Sequence, residues 1–141
     1  MVKPLNRYTS NEFHDWQRQN LPGRFVIQDL DVWAIVVSDS SRNYEPLCLI
    51  ELKRSFYEPE KWSPFKNDLP NYMSLFKLSI RAKLPLTIIY FKKELPLTSA
   101  NAKIAIFKIH NVTESDFEWI KFSKTIQTPD EFKKIFPNNL L

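Results

Sequence analysis

Four charged residues stand where strands are normally apolar. Asp29 and Asp31 fall inside the apolar, β-branched run 25–37, and Glu51 and Lys53 close the run 47–54. Residues two apart on a strand share a face, so Glu51 and Lys53 point the same way, as do Asp29 and Asp31. The polar stretch 38–46 between the runs reads as the loop of a β-hairpin. Centred near Arg42, that hairpin sets Asp31 opposite Lys53 and Trp33 opposite Glu51, with all four charges on one face. A one-residue slip would separate the two pairs. Two acids and a lysine converging on a sheet face can hold a divalent cation, an arrangement suited to cutting a phosphodiester.

The pattern acid–any–lysine occurs twice, at Glu51-Leu52-Lys53 and at Glu131-Phe132-Lys133. The second follows Pro129-Asp130 and is the better match as text. Geometry reverses the ranking. Positions two apart on a helix diverge by about 200°, so Glu131 and Lys133 cannot share a ligand. Thr128-Pro129-Asp130-Glu131 also has the form of a helix start, with a threonine cap, proline at the first position and a capping-box acid.

The elements that must position the first site follow in order. Thr9 caps a first helix through a capping box with Glu12, Phe13 and Trp16 lie on its buried side, and it stops by Pro22-Gly23. Gly23, the only glycine, marks the turn into the first strand. After the hairpin comes an irregular connection, 56–70, holding Phe56, Tyr57, Trp62 and Phe65 and expected to contain a short helical turn at most. Residues 71–83 have helical spacing, with Tyr72, Met73, Phe76 and Ile80 inward and Ser74, Lys77 and Arg81 outward. Strands are expected at 86–91, 103–109 and 117–122, then the final helix from Thr128. A strand–helix–strand unit spanning 47–91 makes a parallel crossover. The expected architecture is one α/β domain over 1–141, a mixed sheet of about five strands flanked by helices.

Composition bounds the function. With 43% apolar and 26% charged residues the 141-residue chain is of ordinary globular type. It has no 18-residue apolar run and no signal-peptide pattern, so no membrane partner is expected. Cys48 is the single cysteine, which excludes a disulfide framework or a cysteine-based zinc site and favours an intracellular, cytoplasmic setting. His14 and His110 have no ligand spacing. Between residues 73 and 110, Lys77, Arg81, Lys83, Lys92, Lys93, Lys103 and Lys108 face only one acid, Glu94. A basic middle beside an acidic site suits a nucleic-acid ligand, and a solvated lysine-rich surface is the plainer explanation.

The hairpin resembles the PD-(D/E)XK nuclease superfamily, which includes restriction endonucleases, archaeal Holliday-junction resolvases and phage exonucleases. In that family a helix precedes a strand bearing an aspartate, and a hairpin leads to a strand bearing (D/E)-x-K, followed by a helix and a strand. Residues 9–91 follow this order. The chain departs from the pattern in one place, where Leu30 rather than proline precedes Asp31. The resemblance implies a restriction-endonuclease-like fold and a Mg²⁺- or Mn²⁺-dependent deoxyribonuclease. Asp31 would be the motif aspartate, Glu51 the second acid and Lys53 the lysine. The backbone carbonyl of Leu52 would be a further metal ligand, and Glu12 the first-helix glutamate aimed at the metal. Arg54, Lys77 and Arg81 are the expected DNA contacts, and pairing of two chains to cut two strands stays open.

Each assignment has a structural counterpart. Asp31 and Lys53 also suit a buried ion pair, although Glu51 would then lack a partner. Asp29 is a second ligand or a strand-edge acid, and Glu12 serves equally as a cap. Lys77 and Arg81 are equally a solvated helix face. The aromatics 56–65 either stack on bases or pack over the sheet edge. The alternative function is a non-cutting nucleic-acid-binding or assembly module on the same fold.

Overall fold

The computed structural model describes residues 7–20, 22, 32–36 and 45–141. Asp29, Asp31, Gly23 and the hairpin loop around Arg42 lie outside the described residues. Helix α1 covers Arg7–Asn20, followed by strands β1 Val32–Val36 and β2 Glu45–Ser55. Helix α2 is Leu69–Ala82, strands β3, β4 and β5 are Leu86–Lys92, Ile104–Val112 and Ile120–Gln127, and helix α3 is Pro129–Ile135. The class is α/β, a mixed sheet with helices. Its strands run in the order β1-β2-β3-β4-β5. Only β2 and β3 are parallel, joined through α2; the other neighbours are antiparallel.

The sheet buries both faces because its middle strands are apolar on both. On one face Leu49, Leu86, Ile88, Tyr90, Ala105 and Phe107 pack beneath Tyr72 and Leu75 of α2 and beneath Trp62. On the other, Cys48, Ile50, Ile104 and Ile106 pack with Leu140, Phe132 and Ile89. The Thr87 hydroxyl donates to the Leu140 carbonyl at 3.0 Å, which ties the C-terminal turn onto that face.

Several expectations are corrected. Helix α1 begins at Arg7, so Thr9 lies inside it rather than at its cap. Phe13 and Trp16 are exposed, at 48% and 51%, and pack on each other with ring centroids 6.0 Å apart. The reason is a thin stripe: a core-facing helix shows three or four apolar residues per two turns, and this one is polar around that pair. Helix α2 starts at Leu69 rather than at 71, because Pro70 fits the first turn, where no N–H is needed. Its buried positions are Tyr72, Leu75 and Ser79, and Ile80 is exposed.

The last strand spans Ile120–Gln127 rather than 117–122. Glu118 has φ 49°, a left-handed turn conformation that a strand cannot pass through, and Phe117 is exposed. Downstream, half-buried Phe122, Lys124 and Ile126 alternate with exposed Lys121, Ser123 and Thr125.

The β1–β2 register sets Trp33 opposite Leu49, with Val32 opposite Ile50, where the sequence suggested Trp33 opposite Glu51. The offset is two residues. Unlike a slip of one, an even offset does not exchange the sheet faces.

Candidate active site

Strand alternation carries Glu51 and Lys53 onto the α2 side of β2, one and two steps beyond the core residue Leu49. The site lies toward the carboxyl end of the parallel β2–β3 pair, where open α/β sheets bind ligands. Glu51 is buried, at 6% exposure, and a buried carboxylate must be paired and hydrogen-bonded. Lys53 Nζ lies 3.2 Å from Glu51 Oε1, and Asn71 Nδ2 donates to the same oxygen at 3.0 Å.

Lys53 has a second acid. Its Nζ donates to Asp68 Oδ2 at 2.8 Å and stands 5.4 Å from the centre of the Tyr72 ring. Asp68 occupies the cap position of α2, where an aspartate normally accepts from the first backbone N–H groups. Here it makes no side-chain capping bond, and its carboxylate turns to Lys53 instead. The 3-10 turn Lys66–Asp68 runs directly into α2, and Asp68, at φ −97° and ψ 14°, is not in the extended conformation of a capping residue, so its carboxylate is placed to engage Lys53.

The electrostatics follow from this pairing. Burial works to lower the Lys53 pKa, but the Asp68 hydrogen bond and the charges of Glu51 and Asp68 outweigh it and raise the pKa above the ordinary lysine value. The ammonium is therefore fixed as a cation. Burial, with the Asp68 and Glu51 charges, pushes the Tyr72 phenol well above its usual range. A cleft of about 280 Å³ opens beside the cluster, with Lys53, Arg54, Phe65, Asp68 and Tyr72 among its walls.

Of the residues read from the sequence, the structure brings Glu51 and Lys53 together. Leu52, between them, pairs with Ile89 in the parallel ladder. Arg54 is exposed and is among the residues lining the cleft, at the end of β2 where the strand alternates away from Lys53. Glu12 is exposed on α1. Lys77 and Arg81 are exposed on α2, on the side opposite its buried positions, about 9 and 15 Å along the helix from Asn71. Asp31 lies outside the described residues. Glu131 accepts from Thr128 and its N–H donates to the Thr128 hydroxyl at 3.2 Å, so the second acid–any–lysine match is a helix cap.

Asp68 and Asn71 were missed. Asp68 followed by Leu69-Pro70 has the form of a helix start, an acid just ahead of a first-turn proline, which marks where α2 begins but not its contacts with β2.

The donor chemistry suits a hard cation. Glu51 offers carboxylate oxygen, and Mg²⁺ needs only one or two carboxylates because it keeps several waters. Among the described residues no three acids, histidines or cysteines group to hold a metal. Among them also, no helix is long and apolar enough to cross a membrane. Comparison with protein-family models, curated proteins and solved structures finds no match to this chain.

Proposed function

We propose that the chain is a Mg²⁺-dependent deoxyribonuclease of the restriction-endonuclease-like fold, working from Glu51 and Lys53 with Asp31 as the second carboxylate. The observation that carries this reading is Lys53, held by Asp68 beside the buried carboxylate of Glu51 at the wall of a cleft. The element order adds support, with an antiparallel β1–β2 pair leading through α2 to a parallel β3.

Glu51, Asp31 and the Leu52 carbonyl would hold the cation. When bound, Mg²⁺ lowers the pKa of a water and offsets charge on the phosphate oxygens. Asn71 keeps the Glu51 carboxylate in one orientation. Lys53, locked as a cation, supplies positive charge where negative charge develops on the scissile phosphate. Arg54 offers the cleft a contact for the DNA backbone. Lys77 and Arg81, on the outer side of α2, would serve only a ligand long enough to wrap the helix.

One observation favours the non-cutting alternative. Lys53 is already held by two carboxylates, which is also the form of a structural ion cluster. Incubating the protein with branched, single-stranded and linear DNAs, with and without Mg²⁺, separates the two. Metal-dependent cleavage of any of them supports the nuclease, and binding without cleavage supports the module.

A further inference from the structure

The segment between β2 and α2 carries an aromatic surface that the catalytic reading does not use. Phe56 and Phe65 are exposed, at 63% and 52%. Free apolar rings on a loose loop would mean little, but this loop is fastened to the sheet. Trp62 is buried and stacks on Tyr90 with centroids 4.4 Å apart, and Phe65 stands edge-on to Trp62 at 6.0 Å. The Tyr90 hydroxyl donates to the Tyr57 carbonyl at 2.6 Å. Lys124 Nζ donates to the carbonyls of Glu60 at 3.1 Å and Trp62 at 3.0 Å. The backbone that carries the exposed rings is therefore fastened to the sheet before any ligand arrives.

Charge accompanies them. Two clefts of about 280 Å³ each share Arg54 as a common wall. Phe65 lines the one beside Lys53, and Lys93 lines the other. Lys93 Nζ stands 5.5 Å from the centre of the Phe56 ring. Neighbouring lysines are neutralised, Lys92 by Glu58, Lys103 by Glu60 and Lys66 by Asp116. Among the described residues, Arg54 and Lys93 make no ion pair. Phe65 and Arg54 share one cleft, Arg54 and Lys93 share the other, and Lys93 meets the Phe56 ring, so two unpaired cations lie between two exposed rings.

We infer that this surface binds single-stranded DNA, with bases stacked on Phe65 and Phe56 and phosphates on Arg54 and Lys93. Two aromatic faces flanking two cations offer an unpaired strand both stacking surfaces for its bases and positive charge for its backbone. The strand must be single because base faces inside a duplex are already covered by their neighbours, whereas every unpaired base offers one. The inference rests on the nuclease reading for its choice of DNA, and it makes an unpaired segment the part of the substrate that enters the site.

The test is binding of a short labelled oligodeoxynucleotide, single-stranded or annealed to its complement, in EDTA so that nothing is cut. The single strand should bind at least about tenfold more tightly than the duplex. The double variant Phe56→Leu, Phe65→Leu keeps apolar bulk but removes the aromatic faces, and it should lose that preference. Arg54→Ala with Lys93→Ala should weaken binding and reduce the salt slope by about 1.4 for the pair. All four side chains are solvent-facing or line open clefts, and far-UV circular dichroism confirms that the variants stay folded. Equal or tighter binding of the duplex, a stronger preference for the same sequence as RNA, or a leucine variant with unchanged affinity overturns the inference. Because the readout needs no cleavage, binding as expected from a protein that never cuts would refute the nuclease alone. Metal-dependent cutting without a single-strand preference would refute this inference alone.

Discussion

Lys53 stands between two carboxylates from different elements, its ammonium 2.8 Å from Asp68 at the start of α2 and 3.2 Å from Glu51 on its own strand. The two acids are not equivalent. Asp68 is 42% exposed on its side chain and Glu51 only 8%. Removing Asp68 therefore alters the lysine more than the fold. Asp68→Asn should cost at most about 1 kcal/mol in stability, since the pair is screened by solvent, while lowering the Lys53 pKa. Lys53→Met, which removes a cation from beside buried Glu51, should cost on the order of 3 kcal/mol. Urea denaturation gives the stabilities and NMR titration of the Lys53 side chain gives the shift; an unmoved pKa in Asp68→Asn would remove Asp68 from the site.

The same cluster sets an alkaline limit to stability. Lys53 and Tyr72 both have folded pKa values raised above their ordinary 10.5 and 10.0. A group that holds its proton more tightly when folded contributes stability that is complete below the unfolded pKa and is lost as pH rises through the folded value. Stability should thus fall above about pH 10. Tyr72→Phe removes the phenol's share and should make the decline shallower between pH 9.5 and 11, as read from urea midpoints. Parallel curves for the two proteins would contradict the assigned burial.

How much of this was legible in the sequence differs by residue. Glu51 and Lys53 could be found because period-two geometry makes charges inside an apolar strand conspicuous. Asp68 and Asn71 could not be found that way, since their role depends on how α2 packs over β2, and no local period encodes that distance. Pro70 misled for a related reason: it reads as a break in the middle of a helix but is favoured in a first turn. Phe13 and Trp16 had the right spacing for burial, yet spacing does not say whether a partner surface exists. The β5 boundary failed at Glu118, because a left-handed backbone on a non-glycine residue leaves no mark in composition.

That scarcity of glycine has its own consequence. Gly23 is the single glycine, and among the described residues left-handed backbone falls on Lys83, Glu94 and Glu118, with φ of 58°, 62° and 49°. Lys83 closes α2, its N–H donating to the Ile80 carbonyl at 3.2 Å. A non-glycine residue there costs roughly 1–2 kcal/mol, partly offset by the greater freedom glycine has when unfolded. Lys83→Gly should stabilise the protein by about 0.5–1 kcal/mol. A lower melting temperature for this variant would refute the strain.

The two acid–any–lysine matches make opposite predictions. Glu131→Gln should leave any cleavage nearly intact and cost at most about 1 kcal/mol through the weakened cap. A loss of activity rivalling that of Glu51→Gln would move the site to α3.

The central claim is that Glu51 serves a metal-dependent cut rather than holding the fold together. The direct measurement is the cleavage rate of labelled DNA by the wild type and by Glu51→Gln across a Mg²⁺ titration, with DNA affinity recorded in EDTA for both. The account predicts Mg²⁺-dependent cleavage by the wild type, its loss in Glu51→Gln by at least about a hundredfold, and equal or tighter DNA binding by the variant, which has one negative charge fewer. Glu51→Gln cutting at the wild-type rate, or a wild type that cuts no DNA at any Mg²⁺ concentration, would contradict it.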